Sequence, residues 1–287
     1  MARRSAPALL AAALCAGFAA VVWALVFHTG PGRAADVAAF QGFVQLQTTA
    51  AAPVAAAVAA LCNPQPFAVL ALAVIAAAAL AHGVRHALAA TGMIAAASLV
   101  TQWLKPALAA PRMDGPLASG EHVVAVSWPS GHATAAMALA LAAVVAAPPA
   151  WRLVTAVAGG LFAIAVAYSV VLLGWHMPSD ALGGFAIAGA AGGLAVAGLW
   201  AAEARWPAGT GRRAASRALD RVRAPGPALA AVLAAVGVIG LAVVRVSGYL
   251  PGPQEKLAFL AVAASIVGLA LTLAGVAAGS GSGPARR

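Results

Sequence analysis

Residues 152–201 read RLVTAVAGGLFAIAVAYSVVLLGWHMPSDALGGFAIAGAAGGLAVAGLWA. Two apolar runs, 152–173 and 181–201, flank a short turn that carries His176 and Asp180. A helix needs roughly 20 mostly apolar residues to cross the hydrocarbon of a bilayer. Each run meets that length, and neither alternates as a barrel strand would. Only helices and closed barrels satisfy their backbone groups in lipid, so both runs read as membrane-crossing helices. Working outward, comparable runs fall at 6–27, 66–82, 87–104, 132–148, 227–247 and 257–279. The expectation is an all-α, polytopic transmembrane bundle of about eight spans. The composition agrees, because 63% of the residues are hydrophobic and only 8% charged, against about 25% charged in a soluble domain.

The N-terminal run follows Arg3 and Arg4 and is too long for the ~7–15-residue apolar segment of a cleaved signal peptide. It reads as a retained signal anchor. Residues 34–62 mix Gln and Thr with apolar side chains and contain Pro53, which suits an interfacial segment packed outside the bundle. Beyond the last two spans, residues 280–287 read as a flexible polar tail. Cys15 and Cys62 cannot define a disulfide framework and are assigned to packing.

The net charge of +10 first suggests a nucleic-acid partner, but the basic residues are scattered at span ends. With eight spans and a cytoplasmic N-terminus, twelve of the seventeen Arg and Lys fall on the inner side. Only Arg33, Lys105, Arg112, Arg245 and Lys256 stay outside. That is the positive-inside bias of a membrane protein. The basic stretch 202–226 becomes a cytoplasmic loop near anionic headgroups. The Ala-, Gly- and Arg-rich composition suggests a GC-rich bacterial genome, which makes the membrane a bacterial plasma membrane and the outer face periplasmic.

Three polar clusters fall on that outer face. They are Lys105 to Arg112 (KPALAAPR), Pro129 to His132 (PSGH) and His176 to Asp180 (HMPSD). Together they suit a phosphate group. Lys105 and Arg112 offer fixed positive charge, the Arg as a planar donor fork. Ser130 and Gly131 open a helix whose first amides can cradle an anion. His176 can act as a nucleophile, with Asp180 four residues on to orient it, and His132 can act as an acid. Each residue alone has an ordinary alternative. A Lys or Arg at a span end can snorkel to headgroups, Ser130 can simply cap a helix, and Asp180 can favour a helix start. His28, His82, His86 and His122 are given no chemistry.

In order and spacing, the clusters resemble the three-part motif of the type-2 phosphatidic acid phosphatase superfamily, the lipid phosphate phosphatases: K-x6-R-P, P-S-G-H and S-R-x5-H-x3-D. Lys105 and Arg112 match the first, Pro129–His132 the second, and Ser169, His176 and Asp180 the third. The resemblance covers about residues 30–201 and implies a six-helix phosphatase-like core within residues 1–201, with two additional spans in 227–279. It implies a metal- and cofactor-free reaction on a lipid phosphate, either a polyprenyl phosphate or diphosphate or a phosphatidate. In that reaction Lys105, Arg112, Ser130 and Gly131 hold the phosphate, His176 attacks phosphorus assisted by Asp180, and His132 protonates the leaving oxygen.

Two positions depart from the pattern. Met113 replaces the Pro after Arg112, and Val170 replaces the Arg of the third motif. An Arg at position 170 would supply a charge-assisted hydrogen bond worth about 1.5–3 kcal/mol, which Val170 cannot make. The rival reading is therefore a weak or inactive homologue that binds lipid phosphate or scaffolds envelope assembly. A phosphotransferase is a further variant. Vanadate-binding haloperoxidases carry the same motif but are soluble. Transport is disfavoured, because no charged residue lies well inside a span. The sequence leaves the oligomeric state open.

Overall fold

The structure is a computed structural model that describes residues 2–48, 50–111, 123–206 and 253–280. Arg112, Met113, most of the basic loop 202–226, the expected span 227–247 and the tail from 281 lie outside the described residues. The helices run α1 (Ala2–His28), α2 (Gly30–Val44), α3 (Ala51–Ala60), α4 (Pro64–His82), α5 (Val84–Ala107), α6 (Gly131–Ala146), α7 (Arg152–Leu172), α8 (Pro178–Arg205) and α9 (Pro253–Ser280), with no strand among the described residues. The chain is an all-α integral membrane bundle. Five of these helices are long and apolar enough to cross a membrane: α1, α4, α5, α7 with its leading turn, and α8.

Local sequence sets the boundaries. Pro64 and Pro178 occupy the first turns of α4 and α8, where a missing N–H costs nothing and the fixed φ is already helical. Gly83 separates α4 from α5 at φ 88°, a value that L side chains rarely adopt. Ser130 caps α6 by accepting the Ala133 amide.

Central to the bundle is α6, in which every residue from Ala133 to Ala146 except Ala143 is buried. A helix that is apolar all round belongs inside its fold. Its 16 residues span about 24 Å, short of the ~30 Å hydrocarbon, and the segment before it is buried at Ser127, Trp128 and Ser130. The long helix α8 packs on α1, α5 and α6. Between membrane helices the driving force is close packing rather than water release, and small residues allow it. A Cβ added at Gly193 would lie 2.7 Å from the Ala8 carbonyl oxygen, and one at Gly159 would lie 2.8 Å from the Ala140 Cβ.

At the end of the bundle where α5 and α7 finish and α6 and α8 begin, α2 and α9 close one side. Phe40, Phe43, Val171, Met177 and Phe259 form one buried cluster there. The Tyr168 hydroxyl donates to the Ala263 carbonyl at 2.8 Å, which ties α9 to α7. The segment 34–62, taken from sequence as one piece, consists of most of α2, a 3-10 turn at Gln45–Thr48, and α3.

Candidate active site

The second motif is held by its backbone. A cis peptide joins Trp128 to Pro129. The Ser130 amide donates to the Asp180 carbonyl at 2.9 Å, fastening the start of α6 to the start of α8. The Thr134 hydroxyl donates to the Ser130 carbonyl at 2.8 Å, and the Thr101 hydroxyl of α5 donates to Thr134 at 3.1 Å. This approach requires glycine at 184, where a Cβ would stand 2.7 Å from the Ser130 carbonyl oxygen. Three helices are thereby locked around one turn.

The third motif is a tight turn off the end of α7. Gly174 takes φ 77°, and the amides of Trp175 and His176 both donate to the Val170 carbonyl, at 3.0 and 3.3 Å. The turn brings the His176 Nδ1 to 3.2 Å from the Asp180 Oδ2. The same carboxylate oxygen accepts the Met177 amide at 2.9 Å. Asp180 is fully buried and His176 is 7% exposed. A carboxylate accepts, so the Nδ1 carries the proton, and in the neutral ring the Nε2 keeps its lone pair.

The clusters converge. The His132 and His176 ring centroids lie 6.5 Å apart at an interplanar angle of 61°, and the Trp175 ring lies 5.7 Å from His132. The Lys105 ammonium nitrogen approaches within 4.0 Å of the point where a Cβ on Gly131 would sit. The first-turn amides of α6, including those of Gly131 and His132, add the positive end of a helix dipole. Lys105, Ser130, Gly131, His132, His176 and Asp180 therefore share one end of the bundle. Arg112 follows Pro111 just beyond the described residues. Val170 is fully buried, and its side chain brings no charge to the site.

Two polar residues that sequence reasoning passed over join the group. The Asn63 side-chain oxygen, at the head of α4, lies 3.2 Å from the His132 Nε2. Asp36 of α2 accepts both the amide and the hydroxyl of Ser179, at 2.9 and 2.6 Å. Asn63 immediately precedes Pro64 and looks like an ordinary helix start, and Asp36 sits 143 residues from its partner, so local pattern pointed to neither. Among the described residues no group of three or more His, Cys, Asp or Glu could hold a metal ion.

An arrangement of this kind can hold an anion against a lysine and a helix N-terminus, with one imidazole presenting a lone pair and a second nearby to exchange a proton. Comparisons with known proteins point the same way. The family model for the PAP2 superfamily matches residues 86–204, the stretch that carries all three motifs. A crystal structure described as the first transmembrane PAP2-type phosphatidylglycerolphosphate phosphatase, from Bacillus subtilis, superposes with a TM-score of 0.53. It is 21% identical over 64% of this chain and 94% of the other. At that identity the likeness speaks for the fold. No curated protein matches the chain. The resemblance read from the three motifs thus has a counterpart in each comparison: residues 86–204 match the PAP2 superfamily model, and the fold is like that of the solved PAP2-type phosphatase.

Proposed function

We propose that the chain is an integral membrane lipid phosphate phosphatase that works through a phosphohistidine on the extracytoplasmic face of a bacterial plasma membrane. The PAP2 match supports a lipid phosphatase in general. The observation that carries the finer reading is the buried bond from His176 to Asp180, set beside Lys105 and the N-terminus of α6.

A lipid phosphate lodges its headgroup among Lys105, Arg112, Ser130 and the Gly131 backbone. The His176 Nε2 attacks phosphorus, forming the N–P bond as the ester P–O bond breaks. Asp180 holds the imidazole in the tautomer that leaves Nε2 free to attack and stabilises the charge that develops. His132 gives a proton to the departing lipid oxygen. With its Nε2 donating to the Asn63 oxygen, its Nδ1 is the nitrogen that exchanges this proton. His132 then takes a proton from water, whose oxygen bonds phosphorus as the N–P bond breaks. Inorganic phosphate leaves and His176 is restored. Lys105, Arg112 and the α6 amides stabilise the phosphoryl oxygens, the largest demand in such a transfer. The substrate is a polyprenyl phosphate or diphosphate, a phosphatidate or a related lipid. An acceptor other than water would turn the same steps into a phosphotransfer. The positive-inside count, twelve basic residues against five, supports the assignment of the outer face.

The rival reading, a binder with little turnover, draws on the buried Val170 in place of the motif Arg. Phosphate release from a panel of lipid phosphates and diphosphates, measured on purified protein beside His176→Ala, separates the two. The phosphatase reading expects release from at least one lipid and its loss in the variant. Equal release from wild type and variant would overturn the site, and binding without release would favour the rival.

A further inference from the structure

We infer that Asp36, on the helix that follows the first span, is a positioning residue for the His176–Asp180 pair. The inference rests on the phosphatase reading for its consequence in turnover, but its geometry stands independently. Asp36 is 5% exposed and Ser179 3%. One carboxylate oxygen accepts the Ser179 amide at 2.9 Å and the other accepts its hydroxyl at 2.6 Å. Ser179 lies between Pro178 and Asp180 in the first turn of α8. Helix starts leave amides that need acceptors, and Met177, at the position before α8, has no side-chain oxygen to offer. Two carboxylates from different parts of the chain fill the gap. Asp180 takes the Met177 amide, and Asp36 takes that of Ser179.

The mount for Asp36 is rigid. Further along α2, Phe40 and Phe43 are buried with Val171 and Met177, residues that flank the turn carrying His176. The same helix thus grips the turn through apolar contacts and grips the start of α8 through a carboxylate. A displacement at Ser179 passes to Asp180, the next residue, and from there to the bonds that Asp180 makes with the His176 ring and the Ser130 amide. Asp36 bonds to Ser179, the residue before Asp180, so it acts through the placement of Asp180. A misplacement of about 1 Å at a reacting group can cost about 10²-fold in rate.

The test compares wild type, Asp36→Ala, Asp36→Asn and Ser179→Ala, full length in detergent or nanodiscs, by two readouts. The first is the ¹⁵N imidazole spectrum of His176, which reports its tautomer without substrate. The second is kcat and KM for phosphate release. Wild type should show a single tautomer protonated at Nδ1. Asp36→Ala should show a mixture, with kcat down about 10- to 100-fold and KM within about twofold, since every phosphate-binding group remains. Asp36→Asn keeps one accepting oxygen and should recover most of kcat. Ser179→Ala removes only the hydroxyl bond and should lie between Asp36→Asn and Asp36→Ala. An unchanged tautomer with unchanged kcat in Asp36→Ala overturns the inference, as does a loss that merely tracks the fraction of unfolded protein. If wild type releases no phosphate, the phosphatase reading fails while the tautomer still decides the role of Asp36. If Asp36→Ala does not fold, the tautomer and kcat of the two milder variants decide it.

Discussion

The bundle holds two pairs of histidines, one at each end, and only one pair has the makings of a catalytic site. At the first end His132 and His176 sit with Asp180 and Lys105. At the other, His82 and His86 sit with Glu203, whose distance from Asp180 along α8 is about 35 Å, close to the thickness of a bilayer core. By simple closeness the second pair is the better one. Its rings are 4.7 Å apart, against 6.5 Å for the first. The difference lies in what holds the carboxylate. Glu203 is 46% exposed and stands 3.9 Å from the His86 Nε2. Asp180 is fully buried, stands 3.2 Å from its histidine and is pinned by the Met177 amide. The ends of the helices differ as well. The first pair faces the starting turns of α6 and α8, where amides attract anions. At the second end His82 and Glu203 lie in the last turns of α4 and α8, where carbonyls repel anions, and only His86 lies in a first turn, that of α5. Proximity of imidazoles is therefore a poor guide to a site; a buried, fixed carboxylate is a better one.

Substitutions at the two ends should diverge sharply. The largest expected effect is His176→Ala, with phosphate release down at least about 10⁴-fold, as when a nucleophile is removed; His82→Ala at the other end should stay within about twofold in the same assay. Next comes Asp180→Asn, which keeps the shape of the side chain but permits the wrong tautomer. It should lose roughly 10³–10⁴-fold in kcat, whereas Glu203→Gln should leave kcat unchanged. A measurable loss in Glu203→Gln would erase the distinction between the ends. Lys105→Ala should cost one to two decades in kcat/KM, from about 1.5–3 kcal/mol of charge-assisted bonding to the phosphate. Smallest is Gly184→Ala, whose Cβ would press on the Ser130 carbonyl. It should lower thermal stability in detergent by about 1–3 kcal/mol, with a modest loss of activity as α6 shifts from α8.

The part of this picture that was legible in the sequence has a common physical basis. The spans at 152–173 and 181–201 declared themselves because lipid demands long apolar runs. Ser130, His132, His176 and Asp180 stood out because they are polar residues at the ends of such runs, with spacings set by one turn. The same logic could not reach Asp36. An aspartate in a mixed segment after the first span looks like a residue facing headgroups, and its partner Ser179 is distant in the chain. Asn63 was hidden because an Asn before a Pro is what many helix starts look like. The division of 34–62 into two helices was equally hidden, since the shared cluster of Phe43, Met177 and Phe259 joins three segments that no local period connects. Local chemistry marked the candidate groups, and tertiary contacts supplied what holds them.

The most direct test of the central claim is to follow the phosphoryl group itself. A lipid phosphate labelled with ³²P, mixed with the protein and quenched in alkali within milliseconds, should leave label on a peptide containing His176. That label should be absent in His176→Ala and should persist longer in His132→Ala, where water is not activated. Rapid phosphate release with no label on His176, or label on another residue, would contradict the account.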